Sequence, residues 1–431
     1  MQVRSSLSEE YKMTVEMIFV GTELLLGNIV NTNAAYLSEK CAAMGLSCYF
    51  QTVVGDNAER LSLVLKTAMK RADIILMSGG LGPTEDDLTK ETAAKVCGKK
   101  LVMHEISKQA IQEYFAKKGI TPTDNNWKQA MLPEGCIVLD NHNGTAPGVI
   151  IETDKTKVVL LPGPPNELCP MFEESVIPYF EKLTEQVICS QTVKICGVGE
   201  SQAETMIKDM IDAQTNPTIA TYAKTGEVHI RVTAAAEDKK AAQKLIKPVV
   251  KELKNRFGNS IYTTDDSITL EQAVVDLVKA NEFTIACAES CTGGLVAARL
   301  VNVPGVSEVF KYGVTTYSNK AKRKVLGIKK PVLQKHSAVS YQVAEEMAEG
   351  IADFAKADVA LSVTGLAGPD GEGDKPAGLV YIGCCVKGET VVEEYHFSGN
   401  RRKIRESATA AALILARRCL LEYMSKVTFG K

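Results

Sequence analysis

"DIILMSGGLGPTEDDLTKE", residues 73–91, runs from an apolar segment through three glycines and a proline into a polar segment. The apolar run 74–77 is typical of a buried strand, and the acidic residues and threonine after the glycines favour the start of a helix. The same order recurs through the first 170 residues, and strands that alternate with helices predict a parallel, doubly wound sheet. The other predicted strands are 14–20, 46–54, 148–152 and 157–163, and the predicted helices are 31–45, 57–71, 88–97, 105–118 and one from about 166.

Two further units follow this first one. Residues 171–264 mix short apolar runs with a long helical stretch, which predicts a small α+β connector. Gly197 and Gly199 lack the GXXG spacing of a KH-type nucleic-acid clamp, so we expect a spacer or dimerisation module. Residues 265–431 return to alternating strands and helices. We therefore predict an α/β chain with three-layer α/β/α domains at 13–170 and 265–431. The predicted elements of the last domain are helices at 268–281, 291–300, 341–356 and 401–424, strands at 283–289, 311–318 and 358–365, and a strand pair at 378–397.

The bulk composition excludes several classes of protein. The 431 residues carry a net charge of −2, and nucleic-acid binding usually needs a basic surface, so we expect no nucleic-acid partner. Twelve cysteines without any CxxC pair favour reduced thiols in the cytoplasm. No apolar run approaches the roughly 20 residues that span a bilayer, so we expect no membrane association. Residues 1–12 are polar and are predicted to form a disordered lead-in without a signal peptide.

The glycine loop of the first domain has the chemistry of a phosphate site. Gly79, Gly80 and Gly82 let backbone N–H groups approach a phosphate, and the following helix adds partial positive charge. Asp86 and Asp87 would repel a bare phosphate, so they indicate a divalent metal between the two. The alternative is that one of these aspartates only caps the helix.

A second cluster, "CAESCTGG" at residues 287–294, offers four reactive side chains. The strand buries Cys287, and the side chain of Cys291 is expected to point away from the site. Ser290 lies where the strand turns towards a helix, near the amides of Thr292, Gly293 and Gly294, which favours an oxyanion or phosphate contact. Ser290 as a plain helix N-cap is the alternative.

A serine nucleophile needs a base, and this domain has few candidates. Only His336 and His396 fall in it and neither lies in a motif, so a Ser-His-Asp triad and a zinc site are both disfavoured. Lysine acts as a base when burial lowers its pKa. The candidates in "YSNKAKRK" are Lys320, Lys322 and Lys324.

The N-terminal motifs resemble one family. "GTELLLGNIVNTNAAYLS" (21–38), "VVGDN" (53–57), "SGGLGPTEDDLT" (78–89), "NGTAPGV" (143–149) and "LPGPPNEL" (161–168) resemble the first half of CinA proteins, which is similar to the molybdopterin-binding MoaB/MogA domains. The resemblance implies a metal-dependent pyrophosphatase that acts on ADP-ribose or similar dinucleotides. Leu81 stands where MoaB/MogA domains have threonine, which fits CinA better than a pterin enzyme.

The same resemblance assigns roles to residues of the first domain. It implies a catalytic acid at Asp87, a second acid at Asp56, and phosphate contacts from Gly79, Gly80, Gly82 and Thr89. Glu23, Asn31 and Asn33 are further candidates to complete the pocket, with helix capping or packing as the alternative for each. The carboxylates expected as ligands of Mg, Mn or Co are those of Glu23, Asp56, Asp86 and Asp87.

The C-terminal motifs resemble the CinA C-terminal domain and the stand-alone PncC amidohydrolases. They are "AESCTGGLVAARL" (288–300), "GVTTYSNKAKRKVLG" (313–327), "VTGLAGPDG" (363–371), "KPAGLVYIG" (375–383) and "FSGNRRKIR" (397–405). The resemblance implies that this domain converts nicotinamide mononucleotide to nicotinic acid mononucleotide and ammonia without a cofactor. It places the catalytic lysine at Lys322, with two residues between it and Y-S-N, and so implies a Ser290–Lys322 dyad. Expected substrate contacts are Tyr317, Thr364, Gly365, Gly368, Arg401 and Arg405, with the last two on one helix face.

The sequence thus predicts a bifunctional protein of pyridine-nucleotide salvage. Its expected partners are small nucleotides and a second copy of the chain as a homodimer. The alternative is a non-catalytic nucleotide-binding scaffold linked to competence or the DNA-damage response.

Overall fold

The computed structural model describes residues 13–183 and 187–429. The lead-in predicted for residues 1–12 lies outside the described residues. Contacts divide the chain into two compact units, one of residues 1–189 with 233–244 and the other of residues 190–232 with 245–431. No helix in the described ranges has the length and apolar character needed to cross a bilayer.

The N-terminal domain is built on a six-stranded sheet in the order β2-β1-β3-β8-β7-β6. A two-stranded sheet joins β4 and β5. The strands are β1 (Thr14–Val20), β2 (Ser47–Val54), β3 (Ile74–Ser78), β4 (Leu101–Met103), β5 (Met131–Pro133), β6 (Ile137–Leu139), β7 (Gly148–Glu152) and β8 (Lys157–Leu161). The helices are α1 (Thr22–Leu25), α2 (Thr32–Ala43), α3 (Ala58–Ala68), α4 (Thr89–Val96), α5 (Glu105–Lys117), α6 (Pro165–Met171) and α7 (Ile177–Glu181).

The sheet is not wholly parallel, which corrects the doubly wound parallel sheet predicted from the sequence. Strands β2, β1, β3 and β8 run parallel, whereas β7 and β6 pair antiparallel at one edge. The cause is the turn between β7 and β8, where the Thr153 amide donates to the Thr156 carbonyl over 3.0 Å. A turn this short joins only antiparallel strands, because a parallel crossover needs a dozen residues or more.

Successive side chains of β1 pack into two apolar layers, one on each face of the sheet. Met17 and Phe19 pack into one layer and Ile18 into the other. The first layer also contains Phe172 and Phe180, which lie beyond the domain boundary predicted at residue 170. The N-terminal core therefore extends to the end of α7.

The middle domain is α+β, as predicted. Its four strands are ordered β10-β11-β9-β12. Its elements are β9 (Val187–Cys196), α8 (Glu200–Met206), α9 (Lys208–Asp212), β10 (Thr218–Lys224), β11 (Glu227–Ala236), α10 (Lys239–Phe257) and β12 (Ile261–Thr263).

The C-terminal domain has a five-stranded sheet in the order β14-β13-β15-β16-β17, with the last two strands antiparallel. Apolar layers from helices cover both faces, which confirms the three-layer prediction. The elements are α11 (Leu270–Ala280), β13 (Ile285–Glu289), α12 (Leu295–Val301), β14 (Phe310–Thr315), α13 (Asn319–Leu326), α14 (Lys330–His336), α15 (Tyr341–Ala355), β15 (Val359–Gly365), β16 (Leu379–Val386), β17 (Glu389–His396) and α16 (Arg401–Phe429).

Helix α12 begins later than the sequence predicted. The expected start at residue 291 is wrong because Gly293 and Gly294 adopt φ of 62° and 99°, outside the helical region. Gly294 is the N-cap, so the alternative in which Ser290 merely caps this helix is also wrong. Residues 290–294 instead form a non-helical loop between the carboxyl end of β13 and the start of α12.

Candidate functional sites

The glycine loop after β3 opens onto a cavity of about 630 Å³. Gly79, Gly80 and Gly82 line it, together with Asn31 and Asn33. No lysine or arginine occurs among the described residues that line it, whereas five carboxylates do. These are Glu23, Asp56, Asp86, Asp87 and Glu167.

Two of these carboxylates are fixed by neighbouring threonines. Asp56 Oδ2 accepts hydrogen bonds from the amide and hydroxyl of Thr22, each over 2.8 Å. Asp87 Oδ2 accepts from the amide of Thr84 over 3.0 Å and from its hydroxyl. Thr84 also lowers the pKa of Asp86 through a side-chain hydrogen bond. Helix α4 has no side-chain cap, so the capping alternative for the aspartates is not observed.

The donor chemistry of this cavity fits a hard divalent cation. Carboxylate oxygens are the ligands that Mg²⁺ prefers, and one or two of them suffice when substrate phosphates complete the shell. Within the described ranges, no three His, Cys, Asp or Glu side chains come close enough together to hold an ion alone. Carboxylates such as Asp56 and Asp87 would therefore share the ion with a phosphate group.

Buried acceptors around the glycine loop lack partners within the described structure. Asn33 Nδ2 donates to Ser78 Oγ over 3.0 Å and to Gly163 O over 2.7 Å, which fixes its amide and leaves Oδ1 unpaired. Gln129, which the sequence reasoning missed, lines the cavity with an unpaired Oε1. Thr89 Oγ1 is also unpaired and would lie 2.2 Å from a Cβ at Gly80.

Asn31 and Leu81 line this cavity and also have structural roles. Asn31 accepts a hydrogen bond from the Ala34 amide over 3.1 Å and so caps α2, although it still faces the cavity. Leu81 is 5% exposed and packs into the core while it lines the cavity.

Two lysines that the sequence reasoning missed hold the acidic loop in place. Lys128 Nζ donates to the carbonyls of Thr84 and Asp87, each over 2.7 Å. Buried Lys90 donates to the carbonyls of Lys128 and Gln129 over 2.6 and 3.2 Å, and burial lowers its pKa to about 8. Neither contact is readable from spacing, since about 40 residues separate the partners.

The second candidate site lies at the carboxyl end of β13. Lys322 Nζ donates to Ser290 Oγ over 3.2 Å and to the Thr316 carbonyl over 2.8 Å. The lysine is 1% exposed, and desolvation lowers its pKa from 10.5 to about 8. Ser318 caps α13 by accepting from the Ala321 amide, which sets the helical turn that carries Lys322. The structure thus brings together the serine and lysine that the resemblance implied.

Glu289 shapes the loop that carries Ser290. Its buried carboxylate accepts hydrogen bonds of 2.9 to 3.1 Å from the amides of Gly294, Val296 and Ala297. These are the open amides of α12, so the carboxylate replaces a conventional cap. Sequence reasoning named Glu289 only as a reactive candidate, and its position before Ser290 gave no sign of this role.

Hydrogen bonds within the loop limit which amides remain free. The Gly293 amide donates to the Ser290 carbonyl over 3.1 Å, and the Gly294 amide is held by Glu289. The expected role of both as oxyanion donors is therefore not supported. The Thr292 amide lies beside the Cys291 thiol and lowers its pKa by hydrogen bonding, and the buried Thr292 hydroxyl has no partner in the described structure.

Helix α16 supplies two arginines to this site in different ways. Arg405 donates to the carbonyls of Cys291 and Thr292 over 3.0 and 2.7 Å, which anchors the loop from outside. Arg401 donates to Gly368 O over 2.7 Å and to the Tyr317 hydroxyl over 3.2 Å. Three of the expected substrate contacts, Arg401, Tyr317 and Gly368, thus lie together, whereas Arg405 uses two of its nitrogens to hold the loop.

Two other expected substrate contacts are used within the fold. The buried Thr364 hydroxyl donates to the Ala338 carbonyl over 2.8 Å. Gly365 lies so close to β16 that a Cβ would come within 2.6 Å of Val380. Both residues support the sheet beside the site.

The structure disfavours a cysteine thiol or a histidine as the reacting group of this site. Burial raises the pKa of Cys291 to about 11 and raises that of Cys287 well above its usual range, so both thiols stay protonated at neutral pH. His396 is exposed and pairs with Glu394, which belongs to the same strand.

Comparisons with known proteins follow the same division into three domains. The model "CinA C-terminal domain" matches residues 267–420, and "Probable molybdopterin binding domain" matches residues 16–182. A "Putative competence-damage inducible protein" of Clostridium novyi (strain NT) is 51% identical over 95% of this chain and 99% of its own length. The chain belongs to the CinA family.

A further relative agrees with this assignment, and one solved structure is similar over part of the chain. A "CinA-like protein" of Kosmotoga olearia is 51% identical over 95% of this chain and 99% of its own length. A crystal structure of competence damage-inducible protein A (ComA) from Klebsiella pneumoniae is 36% identical, with a TM-score of 0.35, and covers 35% of this chain and 95% of that one.

The middle domain matches the model "Damage-inducible protein CinA KH domain" over residues 190–263. The unit that we expected to be a spacer or dimerisation module is thus a KH-type domain of the CinA family. Its Gly197-Val198-Gly199 loop still lacks the GXXG spacing of a nucleic-acid clamp. The absence of a nucleic-acid partner stays a prediction.

Proposed function

We propose that the C-terminal domain is an amide hydrolase that releases ammonia from nicotinamide mononucleotide. The observation that carries the proposal is the contact of 3.2 Å between Lys322 Nζ and Ser290 Oγ, made by a lysine whose pKa burial lowers to about 8. About one such lysine in ten is neutral near pH 7, compared with roughly one in 3,000 at an unshifted pKa. Burial therefore supplies a base that an exposed lysine would not.

The reaction follows from these two side chains. Neutral Lys322 takes the Ser290 proton as Oγ attacks the carboxamide carbon, and the carbonyl oxygen becomes the oxyanion. The protonated lysine then gives its proton to the leaving nitrogen, which departs as ammonia and leaves an ester on Ser290. Water, deprotonated by Lys322, hydrolyses the ester to the carboxylate and restores the serine.

Binding of the oxyanion is assigned to an amide of the Ser290 loop, and binding of the phosphate to an exposed arginine and tyrosine beside the site. We assign the oxyanion to the Thr292 amide, because in a trans peptide this N–H points away from the Cys291 carbonyl that Arg405 holds. An oxyanion is a stronger acceptor than the protonated Cys291 thiol that this amide now meets. Arg401, with the Tyr317 hydroxyl beside it, is assigned to the phosphate.

The test is ammonia release from nicotinamide mononucleotide. Ser290→Ala and Lys322→Ala are expected to lose release, whereas Cys291→Ala keeps it. No release from the wild type between about pH 6 and pH 9, the range over which a lysine of this kind titrates, would favour a non-catalytic nucleotide-binding scaffold instead.

For the N-terminal domain, we infer a metal-dependent pyrophosphatase that acts on ADP-ribose or a similar dinucleotide. The supporting observation is a cavity lined by five carboxylates and by no described lysine or arginine. A bare diphosphate is repelled by such a lining, so a divalent cation has to lie between. When bound there, the ion neutralises the diphosphate and polarises the phosphorus centre.

The chain's own residues have separate duties at this site. Asp56 and Asp87, which Thr22 and Thr84 hold in place, would bind the ion together with the diphosphate. The loop packs so tightly against Thr89 and Asp87 that a Cβ at Gly80 or Gly82 would collide with them, and we assign the contact with the diphosphate to the backbone of this loop. Glu23 and Asp86 lie within the same cavity as further acceptors.

Production of AMP from ADP-ribose tests this domain. The wild type is expected to need Mg²⁺, Mn²⁺ or Co²⁺ and to lose activity in EDTA, and Asp87→Ala is expected to be inactive at every metal concentration. Metal-independent cleavage would contradict the assignment. The homodimer and the cytoplasmic location stay predictions, and light scattering of the purified chain checks the first.

A further inference from the structure

A second cavity, of about 670 Å³, lies outside both candidate sites, between α13 and α14. Its lining contains five cationic side chains and no acidic one among the described residues. They are Lys320, Arg323, Lys324, Lys329 and Lys330, and we call this cavity the basic cleft.

The five cationic side chains of the basic cleft are not paired with carboxylates in the described structure, although the Glu346 carboxylate lies beside the cleft and accepts a hydrogen bond from the Lys329 backbone amide over 3.3 Å. All five side chains are exposed, and none has an ion pair within the described part of the chain. By contrast, Lys387 and Arg418 each meet a carboxylate within 2.6 Å. Five like charges around one depression repel one another, so an anion bound there stabilises them.

The rest of the lining is suited to more than an inorganic anion. Ile328 and Leu333 are 3% and 7% exposed and form an apolar floor. The carboxamides of Asn319 and Gln334 add one donor and one acceptor each at the edge. An apolar floor with a few polar groups is typical of sites for planar organic ligands, and the volume falls in their usual range.

We propose that the basic cleft binds a nucleoside polyphosphate, with the phosphate chain among the five cations and the base over Ile328 and Leu333. The site differs from the acidic N-terminal cavity in the sign of its charge, so it needs no metal. It also differs from the Ser290 site, because Lys322 turns its amine away from the cleft into the protein interior. The two sites share helix α13, so a ligand in the cleft contacts the element that carries Lys322.

The five positive charges of the basic cleft are expected to discriminate between ligands that carry different numbers of phosphate groups. A triphosphate carries more charge than a diphosphate or monophosphate and therefore gains most from five cations. Affinity is expected to fall in that order and to fall again as salt is added. Inorganic tripolyphosphate has the charge but lacks the base, so it is expected to bind more weakly than ATP.

The test is calorimetric titration of the full chain with ATP in EDTA and low salt. EDTA removes the metal that the acidic cavity would need, so binding there is suppressed. The double variant Lys324→Glu/Lys329→Glu is expected to weaken ATP binding about tenfold or more, which corresponds to roughly 1.4 kcal/mol. Lys335→Glu is the matched control, since Lys335 is an exposed lysine on the same α14 that does not line the cleft.

Three outcomes would overturn the proposal. One is the absence of ATP binding at about 1 mM, which corresponds to roughly 4 kcal/mol of binding free energy. Another is equal weakening by Lys335→Glu and by the double variant, which would indicate unspecific attraction. The third is binding of a single-stranded oligonucleotide but not of tripolyphosphate or ATP, which would make the cleft part of a nucleic-acid surface. Since the readout is binding, none of these results depends on either proposed activity.

Discussion

Replacing Lys322 with methionine is expected to abolish deamidation and, at neutral pH, to make the protein more stable. Methionine has nearly the length of the lysine side chain and suits a buried position, but it carries no amine. The lysine that it replaces is 1% exposed and has two hydrogen-bond partners, Ser290 and the Thr316 carbonyl. The stability change therefore reports on the cost of burying the catalytic amine.

The magnitude follows from the pKa of Lys322. Burial lowers that pKa from 10.5 to about 8, and each pKa unit is worth about 1.4 kcal/mol, so the charged amine costs the folded state about 3 kcal/mol. Methionine removes this cost but leaves the Thr316 carbonyl without the lysine, at about 1 kcal/mol. The variant is thus expected to gain about 2 kcal/mol of unfolding free energy near pH 7.

The sign of the pH dependence is fixed by the direction of the shift. Below about pH 8 the lysine is protonated in both states, so the folded wild type bears the full cost. Between about pH 8 and 10.5 the unfolded chain holds one proton more than the folded chain, so the stability of the wild type rises with pH. By about pH 9.5 the wild type is expected to regain roughly 2 kcal/mol, which removes the advantage of the variant.

The assay is hydrogen exchange by mass spectrometry in a urea series, with the full chain near neutral and near alkaline pH. Peptides from β13 and α13 report on the C-terminal domain. The single tryptophan, Trp127, lies in the N-terminal domain, and its fluorescence serves as an internal control that the substitution should not move. Lys320→Met, an exposed position on the same helix, is the matched control with no expected pH dependence. A stability difference between Lys322→Met and wild type that stays constant with pH would refute the depressed pKa and, with it, the supply of neutral base.

Three further predictions test other parts of the two sites. Deamidation by the wild type should rise as pH increases through about 8, because the neutral fraction of Lys322 rises there; a rate that is flat between pH 7 and pH 9 would contradict lysine as the base. Glu289→Ala should lower the stability of the C-terminal domain by roughly 3 kcal/mol and lower kcat for deamidation, because three amides lose a charged acceptor. Hydrogen-exchange protection at α12 measures the loss of stability. Unchanged protection would argue against the capping role of Glu289. Gly80→Ala should destabilise the N-terminal domain by about 2 kcal/mol or more, because φ is 66° and the new Cβ would lie 2.2 Å from Thr89 Oγ1. Urea unfolding followed by Trp127 fluorescence measures the loss of stability. Gly98→Ala is the control, because Gly98 has a similar φ but no atom near the position of a Cβ.

Most elements were predictable because their signals are local, as in the apolar runs of the buried strands β3 and β13. The residues alone left Lys320, Lys322 and Lys324 as candidates, and only the resemblance to CinA C-terminal domains selected Lys322, which the structure places beside Ser290. The antiparallel edge was predictable in principle, because the gap between β7 and β8 is too short for a crossover helix. Periodicity alone does not show this, since a buried strand has the same pattern in either direction.

Contacts between distant segments were beyond the sequence. The use of Glu289 as a cap depends on where Gly293 and Gly294 turn the chain, and Arg405 meets its carbonyls across 113 residues or more. The side-chain oxygens of Asn33 and Gln129 lack a hydrogen-bond partner in the described structure because of how distant segments pack around them. Such features require the packed structure because no spacing rule encodes them.

The position of Arg405 has a consequence for how the protein is made. A ribosome releases the Ser290 loop long before α16, yet the guanidinium that fastens the carbonyls of this loop belongs to α16. A nascent chain halted before that helix would carry the serine and the lysine in an unanchored setting. The Ser290 loop is therefore expected to reach its anchored conformation only after synthesis has passed α16.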